Sequence, residues 1–426
     1  MTAATTYDAI VVGAGLSGLV CATRLRAAGR SVLVVEARDR VGGRLLTGSL
    51  AGTTIDLGGQ WISVGQPRIA ALAAQLGIRT FPQRRDGQPL FAIDDTNRIA
   101  SAISRWRAAK QIERLAKNPP PRDSTLRDWL TNNIRRRTAA DLIAMHAELV
   151  FAMDASSISL LHYLHTFSRT GGFSPKGPDL PGGGREHRFV GGAQSLALAL
   201  AATLGDAVRL SSPVRAIVDD ASVRVRTDVE ELRAHRVVLA LPPTLARKID
   251  FALPTYFPPS RLGPVVKCFA AYTSAFWRAD KLSGEAFRPT GDIRATVALD
   301  PPDNQPVDGG ASVLLAFVVG EVATTWHERS AADRRDLVLS VFVEQFGERA
   351  ASPLDYTEVD WSTDPWSTGC VASLPPGTFA PADAWRVPHG RIHFAGTETA
   401  DAWPGYMEGA IDAGERAADE IIAGER

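Results

Sequence analysis

The sequence predicts an α/β protein in which a doubly wound domain with a mainly parallel sheet is interleaved with an α+β domain that contains a helical insertion. The first 36 residues contain two apolar runs of strand length separated by a run with helical spacing, the pattern of a parallel strand–helix–strand unit. Further strand-like runs occur after residue 187 and again near residue 391, separated by segments of different character. We therefore expect the chain to enter the first domain three times and the second domain twice.

The N-terminal unit is expected to consist of two strands and one helix. Tyr7–Gly13 is an apolar run, Leu19–Ala28 has helical spacing, and Ser31–Val35 is a second apolar run that ends at Glu36. Gly29 is expected to end the helix, because glycine readily adopts the left-handed conformation that follows many helices. Parallel strands joined by a helix predict a doubly wound, Rossmann-type sheet.

The rest of the chain is predicted as follows. Arg38–Gly59 and Gly171–Gly184 are rich in glycine and predict loops, whereas residues 98–165 have a polar, helical pattern. Further helices are predicted at Ile69–Leu76, Ala193–Leu204, Ala331–Phe346 and Gly405–Ala423, and strands at Val208–Val218, Val223–Thr227, Val237–Leu241, Val265–Tyr272, Ile293–Leu299, Ser312–Val319 and Arg391–Ala395. The predicted limits are 1–79, 187–257 and 361–426 for the doubly wound domain, and 80–186 (largely helical) and 258–360 (sheet plus helices) for the second.

Composition excludes several classes of protein. Of 426 residues, 45% are hydrophobic and 22% charged, which argues against extensive disorder. Lys and Arg equal Asp and Glu at 47 each, so we expect no nucleic acid and no membrane as partner, and no apolar run is long enough to span a bilayer. Three cysteines without a CxxC pair, and no secretory segment before Tyr7, predict a reducing, cytoplasmic location.

A dinucleotide site is predicted between the first strand and the first helix. Gly13 allows a tight turn, Gly15 lets the backbone approach a pyrophosphate, and Gly18 lets helix and strand pack closely. The helix N-terminus near Leu16 offers N–H groups and partial positive charge to that pyrophosphate. Glu36, at the end of the second strand, can accept hydrogen bonds from a ribose.

NAD and FAD share this fingerprint, so the choice of cofactor depends on other segments. Two further glycine-rich segments, Arg38–Arg44 and Asp56–Trp61, offer accessible backbone along an extended cofactor, which favours FAD. Near the other end of the chain, Gly405-Tyr-Met407 opens a helix whose dipole would stabilise electron density on a reduced flavin.

The chain resembles the flavin-containing monoamine oxidase family over nearly its whole length. The motifs that carry the resemblance are Val11–Leu19 (VVGAGLSGL), Glu36–Arg44 (EARDRVGGR), Asp56–Gly59 (DLGG), Phe189–Gly192 (FVGG), Val265–Cys268 (VVKC), Phe276-Trp277, Phe394–Ala400 (FAGTETA), Gly405–Ala410 (GYMEGA) and Ala413–Ala418 (AGERAA). None of these motifs fixes the identity of the substrate.

The resemblance implies FAD, oxidation of a small-molecule amine to an imine by hydride transfer, hydrolysis of that imine to a carbonyl product, and reoxidation by dioxygen with release of hydrogen peroxide. It leaves a homodimer open. The residues that it implies for cofactor binding are Gly13, Gly15, Leu16, Ser17, Gly18, Glu36, Ala37, Arg38, Gly42, Gly43, Arg44, Gly58, Gly59, Gln60, Trp61, Val214, Trp361, Cys370, Gly396, Thr397, Glu398, Tyr406 and Met407.

Lys267 is the first predicted catalytic residue. Strand alternation places Val265, Lys267 and Phe269 on one face, and both faces of this strand are apolar, so the ammonium group is expected to be partly buried, with a lowered pKa and a need for a partner. The resemblance implies that Lys267 binds a water molecule beside the flavin and assists its reoxidation.

The resemblance also implies an aromatic cage that guides the substrate nitrogen. Tyr406 matches one wall and is the second predicted catalytic residue, but the other wall, normally aromatic, is Val371. A half-built cage favours a bulkier or differently oriented substrate than a small arylalkylamine, with Phe317 as a compensating pocket residue. Cys370 matches a cysteine that forms a thioether to the flavin in animal relatives, and the sequence leaves this bond open.

Three alternatives to an amine oxidase remain. An L-amino acid oxidase needs a fixed cation for the substrate carboxylate, and Gln60 and Trp61 stand where such relatives usually place an arginine. A flavin desaturase is disfavoured by Lys267 and Tyr406, and a non-catalytic binding protein would not need the complete fingerprint. No metal site is predicted, because His162 and His165 lack a third ligand at typical spacing.

Overall fold

The computed structural model describes residues 5–84, 86–92, 98–170, 185–252, 259–299, 310–379 and 382–424. Its helices are α1 (Leu16–Ala27), α2 (Pro67–Gln75), α3 (Arg98–Lys117), α4 (Leu126–Asn133), α5 (Arg137–Phe151), α6 (Leu160–Arg169), α7 (Gln194–Leu204), α8 (Pro243–Ala246), α9 (Glu321–Thr324), α10 (Ala331–Phe346) and α11 (Met407–Ala423). Its strands are β1 (Thr6–Val12), β2 (Val32–Val35), β3 (Thr47–Leu50), β4 (Thr53–Asp56), β5 (Thr80–Pro82), β6 (Gln88–Phe91), β7 (His187–Phe189), β8 (Val208–Arg209), β9 (Val214–Asp219), β10 (Val223–Thr227), β11 (Glu231–Leu239), β12 (Arg261–Leu262), β13 (Val265–Tyr272), β14 (Leu282–Phe287), β15 (Ile293–Ala298), β16 (Ser312–Val319), β17 (Asp355–Asp360), β18 (Ala372–Ser373) and β19 (Ile392–Phe394).

The first sheet has seven strands and is the doubly wound sheet that the sequence predicts. β8, β2, β1 and β11 lie side by side in parallel, β19 pairs in parallel with β11, and β10 and β9 extend the sheet in antiparallel fashion. β1 and β2 are apolar at their centre because both faces of the sheet are covered. On the second face, Ile10 and Leu33 pack against residues of β9 and β10, such as Ile217 and Val225. Helices α1, α7 and α11 pack on one face, where Leu19, Leu196 and Ile411 share a core. The predicted fold class is confirmed.

The second sheet has six strands in the order β17-β13-β16-β15-β14-β6. β13 lies inside this sheet, and all eight of its residues are buried. One face packs against α10 through Val266, Cys268 and Phe342, while Phe269 and Ala271 face the other way, toward the β3–β4 hairpin. The alternation predicted for Val265–Tyr272 is therefore confirmed, and α10 has the limits that the periodicity predicts.

Helices α3 to α6 form the predicted helical insertion and share an apolar core. This layer contacts the second sheet through α5, which lies against β15 and β16. Among the described residues, no helix is both long and apolar enough to cross a membrane.

The structure differs from the sequence-based prediction in several strands. Residues 47–56, predicted as part of a loop, form the β3–β4 hairpin, whose turn residues Ala51 and Gly52 both have positive φ, as a type I′ turn requires. β6, β14 and β17 were not predicted. In β14, Gly284 interrupts the alternation on which strand prediction depends. The loop predicted at Gly171–Gly184 lies outside the described residues, and the domain limits stay predictions.

Candidate functional site

A cavity of about 970 Å³ extends from the first sheet to the helical insertion and the second sheet. This volume lies at the upper end of the range for small-molecule sites. Of the predicted site residues, Gly18 and Glu398 do not line the cavity. Those that do are Gly13, Gly15, Leu16, Ser17, Glu36, Ala37, Arg38, Gly42, Gly43, Arg44, Gly58, Gly59, Gln60, Trp61, Val214, Lys267, Phe317, Trp361, Cys370, Val371, Gly396, Thr397, Tyr406 and Met407.

The N-terminus of α1 is shaped for an anionic ligand. Gly15 is its N-cap residue, no side chain caps the helix, and its first turn contains no acidic residue. A Cβ atom at Gly15 would have no atom within 4 Å, so open space adjoins the first N–H groups. Gly13 needs its positive φ of 104°, and a Cβ on Gly18 would collide with the Gly13 carbonyl oxygen. Uncapped N–H groups at a helix N-terminus bind phosphate oxygens, so this end fits a pyrophosphate.

Glu36 is buried at the end of β2, on the cavity wall. Its carboxylate accepts hydrogen bonds from the backbone N–H groups of Ala14 (2.7 Å) and Arg38 (3.0 Å), which fix its position. A carboxylate has about four acceptor sites, so capacity remains for the hydroxyls of a ribose. Arg38 is turned toward Asp364 and Ser367, at 2.7 and 2.8 Å.

Arg44 connects three parts of the cavity wall. Its guanidinium group forms two hydrogen bonds to Glu398 (2.8 and 3.2 Å) and a third to the carbonyl oxygen of Cys370 (2.6 Å). Glu398 therefore acts behind the cavity wall, where it holds the Gly42–Arg44 segment against the C-terminal part of the chain. Gly43 has a positive φ, and a Cβ there would lie 3.3 Å from the Gly15 Cα, so the two glycine-rich segments touch.

Lys267 lies on β13, and 4% of its surface is exposed. Its Nζ donates hydrogen bonds to the carbonyl oxygens of Asp56 (2.6 Å) and Gly58 (2.8 Å) and to Oε1 of Gln60 (2.8 Å). These three oxygens match the three donors of an ammonium group. Burial nevertheless lowers the pKa of Lys267 to about 7, against the opposing effect of Asp56. The predicted burial and need for partners are confirmed, and Lys267 ties the second sheet to the Asp56–Gln60 segment.

Tyr406 follows Gly405 in the chain, and Val371 packs against Gly405. A Cβ on Gly405 would come within 2.9 Å of Val371 Cγ1, and the positive φ of Gly405 turns the chain into α11. Tyr406 is the N-cap residue of α11, and burial raises its pKa to about 12. Trp403 packs edge-on against Tyr406 at 5.2 Å between ring centroids, with a positive φ of 55°. This aromatic neighbour also lines the cavity and was not predicted.

The other end of the cavity lies between the helical insertion and the second sheet. One face of α5 lines it, with the helical spacing of Leu142, Met145, His146, Leu149 and Val150. Phe317 of β16, which is opposite Lys267 in the strand register, stands 6.1 Å from Trp61 between ring centroids. This half is mainly apolar.

Arg185 and Glu285, a charged pair in this half, were not predicted. Arg185 lies between the rings of Trp61 and Phe287, at 5.4 and 5.5 Å, and forms an ion pair with Glu285 at 3.5 Å. Arg185 follows a predicted loop and Glu285 lies in an unpredicted strand, so no sequence pattern brought them together.

The histidines contribute no metal site among the described residues, in which no group of three potential ligands comes together. His162 is buried, and its Nδ1 accepts a hydrogen bond from the backbone N–H of Leu374 at 3.2 Å. Burial lowers the pKa of His162 to about 3, so it is a neutral core residue.

Comparisons with known proteins agree over almost the whole chain. Residues 16–422 match the family model described as flavin containing amine oxidoreductase. The chain is 34% identical to AofH of Mycobacterium tuberculosis, named as a flavin-containing monoamine oxidase, over 98% of this chain and 97% of that protein. It is 32% identical to an L-amino acid dehydrogenase of Synechocystis, over 99% of this chain and 96% of that protein. The solved structure of wild-type putrescine oxidase bound to putrescine is 30% identical, with a TM-score of 0.91 over 98% of this chain and 99% of that chain.

Proposed function

The chain belongs to the flavin-containing amine oxidoreductase family, and from this premise we propose that it oxidises an amine at the carbon next to nitrogen, with dioxygen as the electron acceptor. It is an oxidoreductase that acts on amines with FAD as cofactor. The proposed products are an imine, which water hydrolyses to a carbonyl compound, and hydrogen peroxide. The resemblance to the monoamine oxidase family is thus confirmed, while the individual steps are our proposal.

The residues that line the cavity fit FAD. The uncapped N-terminus of α1 would hold the pyrophosphate, Glu36 a ribose, and Trp361, Lys267 and Tyr406 would surround the ring system. When bound, FAD supplies an acceptor for the hydride that leaves the substrate carbon and for the electrons that pass on to dioxygen.

The position of Lys267 gives the proposal its main support. This buried cation lines the cavity, and its three hydrogen bonds all end on the glycine-rich Asp56–Trp61 segment. With a pKa near 7, the side chain exists in both protonation states at neutral pH. Loss of one proton leaves two N–H donors for three oxygens, so one oxygen is released. The nitrogen lone pair can then accept a hydrogen bond from a water molecule, which assists proton transfer during reoxidation.

The other walls of the cavity orient the amine. Tyr406 lines the same cavity as Lys267 and Trp361, and its ring would attract the substrate nitrogen and so orient the amine. Val371 leaves room where the family has a second ring, and Phe317 with Trp61 supplies apolar surface nearby. We therefore propose an amine with a bulky apolar substituent.

An L-amino acid is the second candidate substrate. The observation that favours it is Arg185, a guanidinium group on the wall of the substrate half of the cavity, held between two rings. The relationship to the L-amino acid dehydrogenase of Synechocystis supports the same candidate. A cation fixed by stacking on rings suits a carboxylate, although Glu285 at 3.5 Å already offsets its charge.

The proposed role of Lys267 is tested by the variant Lys267→Met. We expect flavin reduction by amine under anaerobic conditions to change little, and reoxidation by dioxygen to slow by about 100-fold, the range for loss of one proton-transfer group. In the unmodified enzyme the reoxidation rate should rise with pH through about 7, because deprotonation activates the nitrogen. The variant should lose this dependence. Stopped-flow absorbance measures both half-reactions.

Lys267→Arg serves as the matched control, because it keeps a cation that does not lose its proton in this range. It should reoxidise slowly at every pH. Equal slowing of both half-reactions in Lys267→Met would contradict the proposed role of Lys267. A separate experiment, a peroxide-coupled screen of amines and L-amino acids, would decide between the two substrate classes.

A further inference from the structure

Positive charge is concentrated in one stretch of this chain, whose formal net charge is zero. Residues 98–137 contain 11 Lys and Arg residues but 3 Asp and Glu residues, a net charge of +8, so the rest of the chain carries −8. Such an asymmetry within a chain points to an anionic partner. Because acidic and basic residues are equal in number over the whole sequence, the overall net charge does not reveal this local excess of positive charge.

Helix α3 presents much of this charge to solvent. Its exposed residues are Ile103, Trp106, Arg107, Lys110, Arg114 and Lys117, and their spacing places them on one side of the helix. We call this set the basic face of α3. The opposite side is buried, with Ala108, Ala109 and Ile112 packed in the helical insertion.

The cations of the basic face are largely unpaired. Lys110 forms an ion pair with Glu113 at 2.7 Å. Within the described part of the chain, Arg107, Arg114 and Lys117 form no ion pair and no side-chain hydrogen bond. At one end of the face, Ile103 and Trp106 are 47% and 53% exposed, so large apolar side chains adjoin unneutralised cations.

The basic face lies beside an opening of the cavity. Phe91 is 48% exposed and also lines the cavity, which therefore reaches the surface there. Arg105 of α3, between Ile103 and Trp106 in sequence, lines the cavity as well. A partner bound to the basic face would sit next to this opening.

We propose that the basic face of α3 binds the surface of a membrane that contains anionic lipids, as a peripheral contact without a membrane-spanning segment. Tryptophan and isoleucine beside lysine and arginine form the combination that settles at the boundary between headgroups and acyl chains. A nucleic acid would pair with the cations but would leave the Ile103 side chain without a role. A second copy of the chain would bring two positive faces together, which repel each other.

Sedimentation of the FAD-loaded, full-length enzyme with lipid vesicles tests the proposal. We expect binding to phosphatidylcholine vesicles that contain phosphatidylglycerol and none to phosphatidylcholine alone. Binding should weaken as salt is added, because the Debye length falls to about 3 Å at 1 M.

Two variants separate the electrostatic from the apolar contribution. Combining Arg107→Glu, Arg114→Glu and Lys117→Glu should weaken vesicle binding by about five-fold or more for each cation removed. Ile103→Ser with Trp106→Ser should weaken it by at least ten-fold, since two exposed apolar side chains no longer enter the interface. Neither variant should alter turnover of a water-soluble amine, because none of these residues lines the cavity.

The matched control variants change exposed residues outside α3. The set Arg226→Glu, Arg335→Glu and Arg349→Glu makes the same change in net charge, and Val229→Ser with Leu354→Ser removes exposed apolar side chains outside α3. Both should bind vesicles as the unmodified enzyme does.

The proposal fails if vesicle binding is absent or independent of the anionic lipid, or if the controls weaken it as much as the α3 variants. It also fails if the serine pair has no effect on vesicles, if duplex DNA displaces the enzyme from them at equal charge concentration, or if gel filtration shows a dimer that Trp106→Ser dissociates. Failure here leaves the oxidase proposal untouched, because that rests on Lys267 and the cavity.

Discussion

Val371 determines how much space lies beside Tyr406. Its Cγ1 packs against Gly405, so a larger side chain at this position must extend into the cavity. We expect Val371→Tyr to complete a two-sided aromatic cage. The value of kcat/KM should fall by about ten-fold for dibenzylamine and rise for benzylamine, because pocket volume then excludes the bulkier amine. Steady-state peroxide assays with the two amines measure the change.

Val229→Tyr, on the exposed surface, is the control for this variant and should leave both values unchanged. A parallel loss with both amines would show that Val371 affects folding or cofactor binding instead of substrate choice.

Cys370 is close to the proposed flavin ring but is poorly prepared for a covalent bond. A thiolate is the reactive form of cysteine, and burial raises the pKa of Cys370, an effect that Arg44 and Lys267 offset only in part. We expect FAD to be held non-covalently. After acid denaturation and filtration, yellow flavin should appear in the filtrate, both from the unmodified enzyme and from Cys370→Ser. Colour retained by the unmodified protein and lost from the variant would demonstrate a covalent link.

At the scale of elements, the Arg44–Glu398 ion pair joins the Gly42–Arg44 segment to the segment before α11. The Glu398 side chain is 3% exposed, and Glu398→Gln would leave the Arg44 cation partly buried without its counter-charge. We expect a loss of stability of about 3 kcal/mol, the lower end for breaking a buried pair, and faster loss of FAD. Thermal unfolding and flavin fluorescence measure both effects.

Asp419→Asn provides the comparison, because it breaks the Arg24–Asp419 pair on the exposed surface. Exposed pairs contribute about 1 kcal/mol or less, so this variant should keep its melting temperature and its flavin. Equal losses in the two variants would mean that the Arg44 contact has no special part in holding the cofactor.

Elements with strong periodicity could be predicted from the sequence. β13 and α10 have the predicted limits, because an uninterrupted alternation or a long 3.6-residue period leaves few other ways to bury the apolar side chains. The β3–β4 hairpin was missed, since its turn uses Ala51 at positive φ, where glycine or asparagine is the usual signal. Short edge strands such as β6 carry too few residues for a pattern.

The functional site also has a part that could be predicted from the sequence and a part that could not. The part of the cavity wall around the glycine fingerprint could be predicted, because glycine positions in the fingerprint reflect backbone geometry that is local in the chain. The substrate half could not be, because Arg185, Glu285 and the α5 face come from separate segments that meet only when the chain folds. Lys267 was the exception, since a lysine inside an apolar strand is visible in the sequence itself.

For the molecule as a whole, the cavity lies where its two sheets and the helical insertion meet. The first sheet is built from residues 6–35, 208–239 and 392–394, and five of the six strands of the second sheet lie in sequence between β11 and β19. Lys267 and Arg44 then connect elements distant in sequence across the cavity wall. A ligand that fills this cavity contacts all of these segments together, and we expect it to stabilise the entire fold.

This expectation can be measured with enzyme from which FAD has been removed. FAD at 100 times its dissociation constant should stabilise the folded state by about 2.7 kcal/mol and raise the melting temperature with concentration, whereas riboflavin, which lacks the pyrophosphate, should have little effect.

The variant Gly15→Asp separates binding from folding. Gly15 has an extended backbone conformation and open space around its Cβ position, so aspartate can cap α1 without strain. We expect the apo-variant to melt at or slightly above the temperature of the apo-enzyme but to gain nothing from FAD, because the carboxylate occupies and repels the pyrophosphate position. A variant that responds to FAD normally would show that the N-terminus of α1 is not the pyrophosphate site, whereas a variant that melts lower without FAD would show that aspartate at this position disturbs the fold.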